Sequence, residues 1–349
     1  MDANGISVNV LTFDRAWCVP QAIRSVLSQS LHPGEVIVVD DGSRDETPQV
    51  LDTFGSAITV LRQPTNRGTG TGRNVGVNQA RGYWIAFLDA DDEWYPFKLE
   101  LQGKVADALP QVDLLFTDMD GVGELGRFPR MISRVFDEFE RRFGLGKERF
   151  FPYSTTLGDL GVQCGGVDPA TRVYYGPVFQ HMWVKPFIIT SSVLLRRDCV
   201  IPFKEGRQTT DADFYIQLSR NHWLAYIDLP TIAYGLWKGE QKISGPTQDL
   251  VRYRQIVEAH QTFYGKGEDL SSAHARHYRS QLAYYLHRIA AEYLAGGQRR
   301  HAVESAFASL RVRKPQGAGY VILALSCLPR GIARWALRVF FNAGQPHRA

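Results

Sequence analysis

The chain has 349 residues, of which 44% are hydrophobic and 22% are charged, and this composition is typical of a globular protein with a substantial core. The length predicts one large domain or two of ordinary size. The formal net charge of +4 is small, but basic residues are concentrated near the C-terminal end, in "RVRKP", "LPRGIARWALR" and "PHRA". This distribution fits an anionic membrane surface or a phosphorylated substrate, and a solvated charged face is an equal alternative.

Several other classes of protein are disfavoured. The four cysteines lack the close spacing of a zinc knuckle or a redox motif, and we expect them to be reduced, as in a cytoplasmic protein. The N-terminal residues show no basic-then-apolar signal pattern, and the apolar segment 320–329 is too short to span a bilayer. Basic residues are not clustered with aromatics over the predicted sheet, which disfavours a nucleic-acid partner. The oligomeric state stays open.

Buried strands alternate with helices in the first third of the chain. Apolar residues at helical spacing, such as Val19, Ile23 and Val26, predict the first helix. The predicted order is strand 6–13, helix 19–31, strand 35–43, helix 45–55, strand 58–64, glycine-rich loop and helix 70–82, and strand 83–92. This alternation predicts an α/β fold with a doubly wound, mostly parallel sheet flanked by helices. Ligands of such sheets bind beyond the carboxyl ends of the strands.

The rest of the chain is predicted to extend this sheet and then to become helical. The expected elements are a helix and a strand in 97–118, an irregular region 119–180 with a helix over 132–144, a strand over 187–198, a helix over 211–221, two short strands in 224–237, and a helical extension with helices 250–265, 274–297 and 299–315. The last two helices resemble one tetratricopeptide-like pair. The apolar and basic segment 319–342 either packs on the core or lies on a membrane surface.

A cluster of acids follows the strand that ends in "FLDADDEWYP". Asp89, Asp91 and Asp92 would repel one another unless a cation compensates their charge. Carboxylate oxygens suit Mg²⁺ or Mn²⁺, which often bridge to a substrate diphosphate. The alternative is a solvated acidic turn in front of a helix N-terminus.

Two further segments have a structural and a functional interpretation. "DDGSRDET" is a good turn and helix cap, but Asp41 could also accept a hydrogen bond from a base or a ribose. "NRGTGTGRNVG" is rich in glycine, so its backbone could approach a ligand closely, and Arg73 could contact a nucleotide or a phosphate. Each signal is weak by itself.

In this order and at these spacings, the motifs resemble those of the inverting glycosyltransferases of family 2, which have the GT-A fold. The resemblance covers roughly residues 6–244 and rests on "SVLSQS…VIVVDDGSRDET", "RNVGVNQARGYWIAFLDADD", "FIITSSVLLRRD" and "TTDADFYIQLSRN". It implies a domain over 1–246, with a nucleotide-binding part at about 1–118 and an acceptor part at about 119–246. The remaining residues, 247–349, would form the helical region.

The resemblance also implies a role for individual residues. Donor binding falls to Leu11, Phe13, Asp41, Arg73, Asp89 and Ala90, metal binding to Asp91 and Asp89, and catalysis as the base to Asp211. Phe13 would stack on the base ring. From the residues alone, Asp211 would be the N-cap of the following helix. Trp183, Asp213 and Trp237 are candidate acceptor contacts, with core packing as the alternative for the aromatics.

The chain departs from the family pattern in three places. The first strand exits through "TFDR", the Glu expected before the base is Thr210, and Trp237 occupies a position that is often His. The last difference weakens the case for a metal ligand in that loop. Gln241 and Ser244 match the corresponding family segment only loosely.

The resemblance implies a Mn²⁺- or Mg²⁺-dependent transfer of a sugar from a nucleotide donor, with UDP favoured, to a glycan or lipid-linked hydroxyl in surface-polysaccharide biosynthesis. Such an enzyme would be cytoplasmic, with peripheral attachment to the membrane through the basic tail as an option. A nucleotidyltransferase is one alternative, although "TFDRAWCVP" is not the expected glycine- and Lys-bearing loop. A catalytically inactive sugar- or nucleotide-binding protein of the same fold is the other.

Overall fold

The computed structural model describes residues 5–124, 126–182, 187–205, 211–236, 246–265, 272–312, 317–329, 331–333 and 335–336. The chain separates into two compact units. The first comprises Met1–Phe179 and Phe187–Lys238, and the second comprises Gln180–Pro186 and Gly239–Ala349. The functional division predicted from the sequence, with its acceptor part and its tetratricopeptide-like pair, stays a prediction.

The first unit begins with the predicted alternation of strands and helices. Its elements are β1 Ile6–Thr12, α1 Val19–Leu27, β2 Glu35–Asp40, α2 Thr47–Asp52, β3 Thr59–Arg62, α3 Thr69–Gln79, β4 Trp84–Asp89, β5 Glu93–Trp94, α4 Lys98–Ala108, β6 Leu114–Gly123, β7 Gly126–Phe128, α5 Met131–Phe143, α6 Lys147–Phe150, β8 Tyr153–Thr156, β9 Arg172–Gly176, β10 Leu194–Arg196, α7 Ala212–Leu218 and β11 Leu224–Gly235.

One sheet organises this unit, with the strand order β3-β2-β1-β4-β10-β6-β11-β9-β8. Strands β3, β2, β1 and β4 are parallel, and every residue of β1 is buried, as expected for a strand covered on both faces. Thr12 pairs with Asp40, and Leu11 pairs with Asp89. The carboxyl ends of β2, β1 and β4 therefore lie side by side. We call this side of the sheet, where the parallel strands end, its carboxyl edge. The predicted fold class, a mostly parallel sheet flanked by helices with a helical extension, is confirmed.

Three predicted elements differ from the structure. Residues 119–180 are not mainly irregular, because β8 and β9 form an antiparallel pair at one edge of the sheet. The strand predicted over 187–198 is limited to β10, which lies antiparallel between β4 and β6, and Thr190–Ser192 form a 3-10 turn before it. The two strands predicted in 224–237 are the single strand β11, in which register shifts around Pro230 keep the pairing with β6.

The second unit is helical, as predicted from the sequence. Its helices are α8 Pro246–Tyr264, α9 Ser272–Ala295, α10 Arg299–Val312 and α11 Gly317–Ser326. Small buried residues, such as Ala290, Ala302 and Ala306, let these helices pack closely. No helix within the described residues is long and apolar enough to cross a membrane.

A prediction concerns the contact between α3 and β1. A Cβ atom on Gly76 would overlap the side chain of Asn9, which is 2% exposed and donates from Nδ2 to the backbone oxygen of Arg73, 3.0 Å away. Gly76→Ala should lower the free energy of unfolding by about 1–3 kcal/mol, because this close approach has no room for a methyl group. Urea denaturation measures the change. Gly165→Ala, where a Cβ meets nothing within 4 Å, is the control, and an equal effect of both variants would contradict the prediction.

A second prediction concerns His260 of α8. His260 is 0% exposed, and its two ring nitrogens have no hydrogen-bond partner among the described residues. Burial lowers the pKa of His260 from 6.5 to about 3. The unfolded chain therefore binds a proton that the folded chain does not, and stability should fall as the pH drops from 6.5 towards 3, by up to about 1.4 kcal/mol per pH unit.

Urea denaturation of the full chain, followed by circular dichroism across this pH range, measures the effect. His260→Leu should reduce the slope, whereas the exposed control His301→Gln should keep it. An unchanged slope in His260→Leu would assign the acid sensitivity to other groups.

Candidate active site

Asp41 fixes the start of the glycine-rich segment. It follows β2, is 3% exposed, and accepts the backbone N–H groups of Arg67 at 2.9 Å and Gly68 at 2.8 Å. Burial raises the pKa of the Asp41 carboxyl, and these two hydrogen bonds offset the effect only in part. Gly68 has a φ of +93°, a conformation that favours glycine. The acid predicted to bind the donor base therefore also shapes the loop that leads into α3.

Arg73 of α3 joins two acids that are far apart in the sequence. Its side chain is 4% exposed, its Nη2 lies 2.9 Å from Oδ1 and 3.2 Å from Oδ2 of Asp89, and its Nη1 donates to Oδ1 of Asp211. Burial alone would lower the pKa of Arg73, but the carboxylates of Asp211 and Asp89 raise it above its ordinary value. The guanidinium carbon also lies 5.6 Å from the centroid of Phe203, which stacks on Phe214 of α7.

Asp211 occupies the N-cap position of α7, but its side chain makes no capping hydrogen bond among the described residues. Its Oδ2 accepts a hydrogen bond from Thr190 Oγ1 at 2.6 Å, and the buried Tyr215 hydroxyl donates to Thr190 Oγ1 at 2.9 Å. The carboxylate is thus directed towards Arg73 by tertiary contacts. The interpretation of Asp211 as a helix cap is wrong for its side chain.

The acids after β4 do not share one role. The Asp92 side chain is buried and accepts hydrogen bonds from Ser191 Oγ at 2.6 Å and from the Gly235 N–H at 3.0 Å. Burial, and then the negative charges of Asp91 and Asp89, raise the pKa of Asp92 well above its ordinary value. Asp92 therefore ties the turn to neighbouring segments, and these contacts oppose its expected role as a metal ligand.

The remaining acids fit a divalent cation. Asp91 is partly exposed at the carboxyl edge of the sheet, and the side chain of Asp89 is 35% exposed while it pairs with Arg73. Asp89, Asp91 and Asp92 place three acidic side chains within this short turn. One or two carboxylates are what Mg²⁺ ordinarily takes from a protein, with further oxygen ligands from a substrate phosphate.

Another group of three ligand atoms lies elsewhere in the described part of the unit. Suitable atoms of Asp113, Cys199 and His222 lie within 4.8 Å of one another. Asp113 stands just before β6, and it pairs with Arg196 at 3.2 Å and with His222 at 3.0 Å. Because β6 runs parallel to β4, Asp113 lies at the opposite edge of the sheet from Asp89. We assign these contacts to the structure of that edge.

The other predicted residues lie in different environments. Leu11 is buried against Gly72, and its carbonyl oxygen accepts the Ala90 N–H at 3.1 Å. Phe13 is half-buried just beyond β1. Asp213 is half-buried in the first turn of α7, and burial raises its pKa. Trp183 and Trp237 lie outside the described residues.

Thr190, Ser191 and Tyr215 had not been singled out from the sequence. The polar run Thr-Ser-Ser interrupts an otherwise apolar segment, and this interruption was the available signal. Ser191 Oγ lies 3.1 Å from the Asp89 backbone nitrogen and also donates to Asp92. The 3-10 turn therefore contacts both the Asp-x-Asp segment and the carboxylate of Asp211.

Part of the chain matches the model of a known protein family. Residues 7–161 match the family model "Glycosyl transferase family 2". Over these residues, which make up less than half of its length, the chain is similar to the glycosyltransferases of family 2. The resemblance inferred from the motifs is confirmed, because the match covers both the Asp41 and the Asp89 segments.

Curated relatives are similar to parts of this chain. A succinoglycan biosynthesis protein ExoO of Rhizobium meliloti is 30% identical over 204 residues, which cover 48% of this chain and 59% of the relative. A UDP-Glc:alpha-D-GlcNAc-diphosphoundecaprenol beta-1,3-glucosyltransferase WfgD of Escherichia coli is 36% identical over 103 residues, which cover 29% of this chain and 41% of the relative. The chain thus spans less than two thirds of either relative.

A crystal structure of S. aureus TarS in complex with UDP-GlcNAc is similar in fold. Its TM-score is 0.56 at 18% identity, and the match covers 99% of this chain and 93% of that chain. At this identity the likeness shows the fold alone.

A prediction follows from the contact between Thr190 and Asp211. Thr190→Val removes the hydrogen bond to Oδ2, so Asp211 should lose its orientation, and kcat for turnover of a nucleotide-sugar donor should fall about tenfold. The dissociation constant of the nucleotide should stay the same, which separates positioning from loss of the fold. Thr190→Ser should restore kcat.

Ser192→Ala is the matched control, because Ser192 Oγ donates to the Ile189 oxygen in the same turn. Equal kcat values for Thr190→Val and the unmodified chain would show that Thr190 does not position Asp211.

Proposed function

We propose that the first unit transfers a sugar from a nucleoside-diphosphate donor to a hydroxyl group of a glycan or lipid-linked acceptor, with inversion at the anomeric carbon. UDP is the favoured nucleotide. The single observation that carries the proposal is the double ion pair of Arg73. It brings the Asp-x-Asp acid Asp89 and the predicted base Asp211 into one cluster at the carboxyl edge of the sheet.

The donor would bind beyond the ends of β1, β2 and β4. Asp41 and the half-buried ring of Phe13 lie there as candidates for the base, and Arg73 is the candidate cation for the diphosphate. Asp91, with Asp89, would hold Mn²⁺ or Mg²⁺. When bound, such an ion supplies positive charge that offsets the charge developing on the departing diphosphate.

In the proposed reaction, the acceptor oxygen forms a bond to the anomeric carbon while the bond from that carbon to the diphosphate oxygen breaks. The acceptor proton passes to the carboxylate of Asp211, and the nucleoside diphosphate leaves. Thr190 and Arg73 each donate a hydrogen bond to one carboxylate oxygen of Asp211, and together they fix the orientation of the carboxylate plane. Each oxygen keeps a second lone pair for the acceptor hydroxyl.

The proposal specifies only the chemical class of the acceptor, not its identity. The names of the two relatives, one in succinoglycan biosynthesis and one that acts on a diphosphoundecaprenol-linked sugar, support a role in surface-polysaccharide assembly. Asp213 is the described candidate for an acceptor contact, because it lies on the same helix turn as Asp211. A cytoplasmic location next to a lipid-linked acceptor fits this role.

The experiment that tests the donor class is isothermal titration calorimetry with a panel of nucleoside diphosphates, with and without Mn²⁺. One nucleotide, UDP by expectation, should bind in a metal-dependent manner. Asp91→Asn should abolish the metal dependence, because it removes a carboxylate ligand. Glu93→Gln, at the exposed acid that begins β5, is the matched control and should bind normally.

Asp211→Asn separates binding from catalysis. It should bind the nucleotide but lose about 10²–10⁴-fold in kcat, the usual contribution of a general base. Absence of binding by every nucleotide would overturn the donor proposal. Binding without any turnover of nucleotide sugars by the unmodified protein would favour an inactive member of the fold.

A further inference from the structure

Helix α11 is apolar on all sides and yet only half covered. Its ten residues, Gly317–Ser326, include no charged side chain. Ile322 and Leu325 face the small-residue core of the helical unit and are 0% and 9% exposed. Tyr320 and Val321 are 52% and 41% exposed. A helix that is apolar all round is normally buried, so the outward face of α11 calls for a partner.

Exposed apolar side chains continue from this face along the chain. Among described residues, the large hydrophobic side chains with high exposure in this part of the chain are Phe307, Tyr320, Val321, Leu328, Ile332 and Trp335, and those elsewhere are Trp17, Tyr83, Val122 and Tyr153. Single exposed residues are ordinary, but six of the ten exposed large hydrophobic side chains fall between residues 307 and 335, and this concentration favours an interaction site. We name the six residues from 307 to 335 the tail surface.

The covered and exposed positions alternate as they do in a helix lying on a surface. Ile332 and Trp335, three residues apart, are 53% and 64% exposed, whereas Ala333 and Ala336 are buried in the helical core. Phe307 of α10 and Leu323 of α11 line one groove together with Arg299, Arg300 and Glu304, and Arg300 Nε pairs with Glu304 at 3.0 Å. Guanidinium groups therefore lie beside Phe307, one residue of the tail surface.

The charge of this region limits the choice of partner. From residue 296 onward, the only acid in the sequence is Glu304, and the basic residues are Arg299, Arg300, Arg311, Arg313, Lys314, Arg330, Arg334, Arg338 and Arg348. A second copy of the chain would bring the same positive charge to the contact. An anionic lipid surface complements it, and aromatic side chains such as Trp335 suit the boundary between headgroups and acyl chains.

We propose that the tail surface is a peripheral docking site for a bilayer that contains anionic phospholipid. Tyr320, Ile332 and Trp335 enter the interface, and the arginines contact lipid phosphates. Attachment in the plane of the interface agrees with the finding that no described helix could span a membrane. Because this site lies wholly in the helical unit, it does not depend on the transferase proposal.

The test is cosedimentation of the full chain, without nucleotide or sugar, with vesicles of phosphatidylglycerol and with vesicles of phosphatidylcholine. The unmodified chain should bind phosphatidylglycerol, and the affinity should fall as salt is added. The double variant Ile332→Ser and Trp335→Ser should bind about tenfold more weakly or worse, because it removes inserted apolar area. Tyr83→Ser, at a residue that is 54% exposed in the first unit, is the matched control.

A second pair of variants isolates the electrostatic part. Arg300→Gln with Arg311→Gln should weaken binding by about fivefold for each arginine removed, whereas Arg24→Gln with Arg81→Gln should leave it unchanged. All these side chains are exposed, and circular dichroism confirms that each variant is folded.

Three results would overturn the proposal. The first is that the unmodified chain does not bind vesicles. The second is that it binds both lipids equally and that the tail variants bind as strongly as the unmodified chain. The third is that the chain does not bind lipid but self-associates in analytical ultracentrifugation, and that the Ile332 and Trp335 variants abolish this self-association. That result would make the tail surface a contact between copies.

Discussion

The candidate site depends on one buried cation, the guanidinium of Arg73. It is placed against Asp89 and Asp211, which lie on different elements and are separated by more than a hundred residues of sequence. A buried charge is stable only when it is paired, so the guanidinium holds the two acidic side chains close to it. The pairing also ties the end of β4 to the start of α7.

The position of Arg73 itself depends on close backbone contacts. Gly72 lies against Leu11 and Gly76 lies against Asn9, and at both places a larger residue would overlap a buried side chain of β1. Asp41 holds the other end of the same segment through two backbone N–H groups. The glycine-rich segment therefore allows α3 to pack tightly on the sheet, and this packing brings the guanidinium to the carboxyl edge.

The two units illustrate different uses of apolar surface. In the first unit, the parallel strands β1, β2 and β4 are buried along most of their length, and the polar groups lie where these strands end. In the second, small residues pack the helices together, but the six side chains of the tail surface stay in contact with solvent. Exposed apolar area of this extent is costly in water, which is why we assign it a binding partner.

The sequence by itself determined the alternation of strands and helices, the mostly parallel sheet, the helical extension and the acids at the strand ends, because these features are set by local periodicity and by short motifs. It did not determine that β11 is continuous, that β8 and β9 extend the sheet, or that Asp92 is a buried structural acid. The polar Thr-Ser-Ser run was its one signal for Thr190, and it offered no reason to select Tyr215. Those outcomes depend on which distant segments become neighbours, and the side-chain direction of Asp211, away from its own helix and towards Arg73, was decided only by that tertiary contact.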